Sequence, residues 1–396
     1  MWQDAKNNYH LFQAILALLI YRFPAKGMKV IGVTGTDGKT TTASLIYHTL
    51  QQAGKKVALI STVGAFLDGE ASDVGLHITT PGRFAMQSYL QKAKRKGIEY
   101  VVLELTSHAL HQHRAFGVPI HIGVLTNISN EHLDYHKTYD QYVKAKAKLL
   151  QHATIDIVNK DDKSYRHVLP YIKKKIVITY GFKKDSTVNP HVFPFRTKLI
   201  GRFNEYNALA AITALRSLRL PDEDIRKGIA SFKAPAGRQE VVYNKEFMVI
   251  NDFAHTPNAF ANILPAIRKI TKNKLIHVFG SAALRDTYKR PEMGKISAEN
   301  ADIIIITAED PRNESIEKIS DEIEKGMKYT MKNGKKSPEV YRIADRKEAI
   351  EKAVSLARKG DTILLTGKGH EKSINYGKGE EPWNETEIAK EAIKNR

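Results

Sequence analysis

The sequence predicts an α/β protein built on two mostly parallel, doubly wound sheets, the first carrying a nucleotide-binding loop. Three observations lead there. Lys29 to Thr42 reads KVIGVTGTDGKTTT: a short apolar strand, a glycine-bearing turn and the opening of a helix. Short apolar runs then alternate with helical stretches along the chain, the order that parallel sheets require. The alternation restarts after Pro235-Ala236-Gly237-Arg238, which marks a domain boundary.

His10 to Tyr21 (HLFQAILALLIY) is the most apolar stretch, and Arg22 and Pro24 end it. A bilayer-spanning helix needs about 20 such residues, and a signal-peptide layout is lacking, so this segment is expected to pack on the domain that follows, peripheral contact with a membrane being the minor alternative. Val30 to Val33 is the first strand and Thr34 to Gly38, with Thr36 inside it, the loop. Gly35 and Gly38 lack a Cβ, so the backbone can turn there and approach an anion. The helix opening at Lys39 presents free N–H groups and the positive end of its dipole. Lys39 would reach the terminal phosphates, and the hydroxyl of Thr40 or Thr41 would ligate Mg²⁺. This pattern calls for a nucleoside triphosphate.

Lys56 to Ser61 reads as the second strand, Gly64 to Ile78 as an irregular loop, and Arg83 to Lys96 as a helix preceded by Thr79-Thr80-Pro81. Tyr100 to Leu105 is a strand whose one carboxylate, Glu104, stands near its end. In a parallel sheet that place suits a Mg²⁺ ligand beside the P-loop; a solvated strand end is the bland reading. Strand His121 to Thr126 ends at Asn127, and Asn130 to His136 is dense in groups that bind metal or move protons. The helix Thr138 to His152 carries Lys144, Lys146 and Lys148, which by themselves read as a basic solvated face. Ile155 to Asn159 is a strand, residues 183–198 a loop, and Glu205 to Leu218 a helix.

In the second half, strands Phe247 to Asn251, Leu275 to Gly280, Ile303 to Ala308 and Thr362 to Thr366 alternate with helices such as Asn258 to Ile270. Their polar ends carry Asp252 to His255, Arg285-Asp286, Glu309-Asp310-Pro311-Arg312 and Gly367-Lys368-Gly369-His370-Glu371. Ligands of open α/β sheets sit outside the carboxyl ends of the strands, so these four clusters are expected to converge.

Composition narrows the class further. The 396 residues hold no cysteine, which excludes disulfides and a thiol nucleophile and fits a reducing, cytoplasmic setting. The net charge of +19 comes from dispersed lysines without interleaved aromatics, so no nucleic-acid partner is expected. Such a field either attracts polyanions such as ATP or simply solvates the surface.

The ordered motifs resemble those of the Mur ligases, most closely the branch that adds the third residue to the peptidoglycan stem peptide (the MurE type). GVTGTDGKTTT at Gly32 to Thr42, TTP at Thr79 to Pro81, ELTSHAL at Glu104 to Leu110 and TNISNEHLDYH at Thr126 to His136 carry the likeness. GRFNEYNALAA at Gly201 to Ala211, DFAHTP at Asp252 to Pro257, KRPEMG at Lys289 to Gly294 and GKGHE at Gly367 to Glu371 continue it. The resemblance implies a short helical segment over 1–28, a central ATP-binding domain over 29–236 and a Rossmann-like C-terminal domain over 237–396.

It also implies ADP-forming amide synthesis: ATP phosphorylates an acceptor carboxylate, and an amino acid's amine displaces the phosphate. By resemblance, Lys39 and Thr40 hold phosphates and Mg²⁺, while Glu104 and His132 ligate Mg²⁺. Lys146 matches a lysine that the family carries as a carbamate. Gly35, Thr36, Gly38, Thr41, Asn127, Asn204, Asn207, Arg238, Asp252 and His255 fall at ATP contacts, and Thr79, Thr80, Thr106 and Arg114 near the acceptor. Arg285, Glu309, Asp310, Arg312, Gly367 and Glu371 match the amino-acid pocket. The expected partners are ATP, a carboxylate-bearing peptide acceptor, for which a UDP-muramoyl peptide is one candidate, and a diamino acid, with the protein a monomer.

Two departures bear on substrate. Glu309-Asp310-Pro311-Arg312 stands where diaminopimelate-adding members carry DNPR. Arg312 could grip a distal carboxylate in a forked pair, whereas an extra carboxylate at Asp310 would favour an ammonium, so diaminopimelate is preferred here with lysine as its rival. Only about 28 residues precede the P-loop strand, so the family's N-terminal UDP-holding domain is not expected here, and the acceptor is expected to be recognised mainly through its peptide carboxylate, or not to be UDP-linked. Folylpolyglutamate or poly-γ-glutamate ligases, and a non-catalytic nucleotide-binding module, are the competing readings.

Overall fold

The computed structural model describes residues 2–72, 79–129, 131, 133–172, 176–283, 287–328 and 337–396, the side chains of 2–8, 133 and 134 excepted. The chain divides into two compact units, one of Met1–Lys198 with Phe203–Lys233 and the other of Leu199–Arg202 with Ala234–Arg396.

The first unit is built on eight strands: β1 (Lys29–Thr34), β2 (Val57–Ser61), β3 (Gly64–Leu67), β4 (Glu70–Ser72), β5 (Tyr100–Glu104), β6 (Ile120–Leu125), β7 (Ile155–Asn159) and β8 (Ile176–Tyr180). Their order is β4-β3-β2-β5-β1-β6-β7-β8. All neighbours run parallel except the β2–β3 and β3–β4 pairs. β2 and β5 are buried at every position, as strands covered on both faces must be. Val30, Ala58, Val101 and Leu103 of these strands share one core with Met86, Leu90 and Leu149 of the covering helices.

The hairpin β3–β4 corrects the expectation of an irregular loop from Gly64 onward. Asp68 and Gly69 both have positive φ, 55° and 89°. Two left-handed central residues match the strand twist of a two-residue hairpin, and Asp-Gly is a preferred pair for it. The first helix, Trp2–Ile20, packs against Arg83–Arg95: Arg83 donates to Gln13, and Ala14, Ala17 and Leu18 are buried. Among the described residues no helix is long and apolar enough to cross a membrane.

The second unit has β9 (Glu240–Asn244), β10 (Met248–Asp252), β11 (Leu275–Phe279), β12 (Ile303–Ile306), β13 (Glu339–Arg342) and β14 (Thr362–Thr366) in the order β13-β12-β11-β14-β10-β9. Only the edge strand β9 runs antiparallel, and β15 (Ser373–Asn375) with β16 (Glu380–Pro382) forms a separate hairpin. The inner strands β11, β12 and β14 are buried at every position; the edges β9 and β13 are half-exposed and carry Glu, Tyr and Arg.

One side chain ties this sheet's carboxyl edge together. Arg346 is fully buried and donates to Ala308 O (2.9 Å) and Thr366 O (2.7 Å), the roots of the loops after β12 and β14. The equally buried carboxylate of Glu385 neutralises it through bonds at 2.6 to 3.1 Å. Removing one partner of a buried pair strands the other's charge. Glu385→Gln is therefore expected to destabilise the protein by about 3 kcal/mol in urea unfolding; an unchanged midpoint would contradict this role.

Candidate functional site

The first unit gathers its polar groups where β1, β5 and β6 end. Gly38 turns at φ 80°, and a Cβ there would run into Asn207 Oδ1; at Gly35 it would strike Thr126 Oγ1. No other residue fits either position. The helix Lys39–Gln52 then begins with no side-chain cap, which leaves its first N–H groups to a ligand. Lys39 Nζ folds back onto Thr36 O at 2.7 Å.

Thr40 Oγ1 donates to Glu104 Oε1 at 3.0 Å, and Thr62 N–H to Glu104 Oε2 at 3.0 Å. Glu104 is buried, so it is no solvated strand end. Between the two hydroxyls left open by the sequence, Thr40 is the one that meets this carboxylate; Thr41 is buried in the same helix turn. His132, assigned a metal role with them, lies outside the described residues. Among the described residues no group of three or more His, Cys, Asp or Glu could hold a metal.

Lys146 departs from the solvated face that its helix seemed to present. It lies on the inward face of Tyr139–His152 with Tyr142, Val143, Leu149 and Leu150, and is 1% exposed. Its Nζ donates to Gly35 O at 2.5 Å and stands 4.5 Å from the Tyr142 ring centroid. Burial first, and then the nearby Lys39 charge, hold its ammonium pKa well below the usual lysine value.

Asn127 acts on the loop itself. Its Oδ1 accepts from Asp37 N–H (2.9 Å), its Nδ2 donates to Asp37 O (3.1 Å), and its own carbonyl accepts from Thr36 N–H (2.8 Å). Asn204 and Asn207 are buried and bonded to each other at 3.0 Å. Thr80, Thr106 and Arg114 meet beside Glu104: Thr80 Oγ1 donates to Glu104 O (2.9 Å) and accepts from Thr106 N–H (3.2 Å), and Arg114 Nη1 donates to Thr80 O (2.7 Å). Thr79 is half-buried next to them.

In the second unit, Asp252 closes β10 and accepts from Gln239 N–H (2.8 Å) and Ala254 N–H (2.7 Å). Arg238 lies over the Phe253 ring at 4.3 Å, and His255 Nδ1 is 2.8 Å from Phe253 O. The loops after β12 and β14 interlock. Lys368 Nζ bonds Asp310 Oδ1 (2.9 Å) and Glu371 Oε2 (2.6 Å), and a Cβ on Gly367 would press on Glu309. Asn251 Nδ2 reaches Gly369 O at 2.9 Å, joining the end of β10 to the same loops. Three of the four expected clusters thus converge; Arg285 and Asp286 lie outside the described residues.

Two contributors escaped the sequence reading. Lys368 stands inside a quoted motif, yet nothing in the letters pairs it with Asp310. Arg346 carries no local signal, because its role is set by strands distant in sequence.

Comparison with known proteins agrees in both halves. The Mur ligase middle domain matches residues 33–215, and the Mur ligase glutamate ligase domain residues 237–369. The chain is 37% identical over 393 residues to the UDP-N-acetylmuramoyl-L-alanyl-D-glutamate–2,6-diaminopimelate ligase of Aquifex aeolicus (strain VF5), covering 93% of this chain and 78% of that one. A solved structure of a UDP-N-acetylmuramoyl-L-alanyl-D-glutamate–2,6-diaminopimelate ligase superposes with a TM-score of 0.65 at 27% identity, over 93% of this chain and 79% of its own. E. coli FolC with ADP shares the fold at 20% identity and a TM-score of 0.71, over 90% of each chain.

Glu309 gives this region a pH signature. It is 6% exposed, and burial pushes its carboxyl up to about 8 against the opposing pull of Lys289 and Arg346. A folded-state value above the unfolded one means that the folded protein keeps a proton the unfolded chain has released. The resulting stabilisation is complete below the unfolded carboxylate range and is lost as pH rises through about 8. Glu309→Gln should flatten the fall in melting temperature between about pH 5 and pH 8; equal slopes in the two proteins would refute it.

Proposed function

Because the chain belongs to the Mur ligase family, we propose that it adds a diamino acid such as meso-diaminopimelate to a peptidoglycan-type stem peptide. The protein is an ATP-dependent, ADP-forming ligase of the kind its relatives are. The observation that carries the assignment of its phosphate site is the Thr40–Glu104 hydrogen bond beside Lys39.

In this reading, the open N–H groups after Gly38 and the Lys39 ammonium hold the β- and γ-phosphates. Mg²⁺ takes hard oxygen ligands, and the hydroxyl of Thr40 with the carboxylate of Glu104 fits that requirement. When bound, the ion would neutralise phosphate charge. The neutral amine that burial favours at Lys146 is the form that adds CO₂, and the carbamate would replace a cation by an anion next to the loop. His132 would complete the set.

Thr79, Thr80, Thr106 and Arg114 hold the acceptor peptide. One oxygen of its carboxylate attacks the γ-phosphorus, the bond to the bridging oxygen breaks, and ADP leaves. The amine of the diamino acid attacks the acyl carbon of the resulting mixed anhydride. Collapse of the tetrahedral intermediate expels inorganic phosphate, and the nitrogen loses its proton. Preorganised donors around Lys39 stabilise charge as it moves. Asn127 holds the loop that presents them, and Asn204, Asn207, Arg238, Asp252 and His255 are assigned to nucleotide contacts. Glu309, Arg312, Gly367 and Glu371, with Arg285, hold the diamino acid, Arg312 taking its distal carboxylate, and Asp310 shapes the loop between them.

ADP release with a UDP-muramoyl dipeptide acceptor is expected to be stimulated more by meso-diaminopimelate than by L-lysine; the reverse order would sink the amino-acid assignment. Lys39→Ala should lower turnover by at least about 10³-fold with the melting temperature unchanged. A fully active variant would remove the phosphate role.

A further inference from the structure

A lysine is almost never fully buried unless paired, and Lys368 is 1% exposed with two carboxylates on its ammonium. One of them, Asp310, is fixed from a second side as well. Its Oδ1 accepts the Asn375 N–H at 3.0 Å, and two residues later the Arg312 N–H donates to Asn375 O at 3.0 Å. Strand β15 therefore grips the loop on both flanks of Pro311.

That grip holds an unfavourable backbone. Asp310 and Arg312 have φ of 82° and 47°, left-handed conformations that non-glycine residues rarely adopt. The bonds from Lys368 and Asn375, with those of Ala283 N–H to Asp310 O and Glu314 N–H to Pro311 O, hold the loop in this shape. Arg312 Nε, buried there, has no hydrogen-bond partner among the described residues.

The charges then decide what the loop can bind. With Lys368 present, the Asp310 carboxylate has its own cation, and the Arg312 charge, which Glu380 also feels, stays available to a substrate anion. Without Lys368, the half-buried Asp310 carboxylate would lose its paired cation, and the Arg312 guanidinium, two residues on in sequence, would be drawn towards it. A substrate ammonium would be the other way to satisfy it. Lys368 thus sets the sign of charge that the loop offers.

We propose that Lys368 is a positioning residue that determines amino-acid selectivity. By discharging Asp310 it keeps Arg312 for a substrate carboxylate, and so favours a side chain ending in both ammonium and carboxylate over one ending in ammonium alone. This rests on the assignment of the 309–312 and 367–371 loops to the amino-acid pocket.

The test measures kcat/KM for meso-diaminopimelate and for L-lysine in the wild type, Lys368→Met, Asp310→Asn and the double variant, with melting temperatures alongside. Lys368→Met should lose about 30-fold for diaminopimelate, mainly through KM, and change less than about threefold for lysine. Asp310→Asn removes the carboxylate that needs discharging, so that single variant and the double variant should both keep the wild-type ratio within about threefold. Equal losses on the two substrates in Lys368→Met would reduce Lys368 to a structural tether and overturn the proposal. So would a double variant whose ratio has collapsed, a comparison that remains decisive if Lys368→Met fails to fold. A wild type that prefers lysine would instead refute the diaminopimelate assignment, read from a different row of the same experiment.

Discussion

Parallel strands impose a constraint on which everything else in this protein depends. Each crossover carries the chain back outside the sheet, so the loops at the carboxyl ends are relieved of packing and can carry chemistry. Both units obey it. In the first, the P-loop follows β1, Glu104 ends β5, and Thr126 and Asn127 follow β6. In the second, Asp252 ends β10, Glu309 to Arg312 follow β12, and Gly367 to Glu371 follow β14. Loops that are free to carry chemistry must still be held in place, and each unit solves this with buried polar groups. Asn127 and Thr126 hold Asp37 from the neighbouring strand end, and Arg346 staples two loop roots to one carboxylate.

Burial of charge recurs as the means of tuning. Lys146 is packed beneath the P-loop, where an ammonium is poorly solvated and faces the Lys39 charge. Glu309 is a carboxyl kept in its protonated form by the same desolvation. Lys368 takes the opposite course, staying paired with Asp310 and Glu371. Three buried ionisable groups are thus treated in two ways. Groups without a strong counterion shift towards neutrality, and a group with two counterions holds a loop.

Much of this was legible in the letters. Central strands such as β5 and β14 are short runs, apolar except at their ends, that can hardly be anything else in such a pattern, and a lone Glu104 in one of them invites a role. What escaped notice did so for physical reasons. The edge strands β9 and β13 are half-exposed and mix charged with apolar residues, so they lack the periodic signature. The β3–β4 hairpin announced itself only through Asp68-Gly69. The pairing of Lys368 with Asp310 spans 58 residues, and Arg346 meets Glu385 across 39; contacts of that range are written in the topology and not in any local pattern.

In the proposed reaction an acceptor carboxylate oxygen becomes bonded to the terminal phosphorus of ATP before the amide forms. Labelling that carboxylate with ¹⁸O and analysing the released phosphate by mass spectrometry tests it most directly. The account requires one labelled oxygen to appear in inorganic phosphate for each amide made. Phosphate free of label, with the isotope retained in product or water, would contradict it.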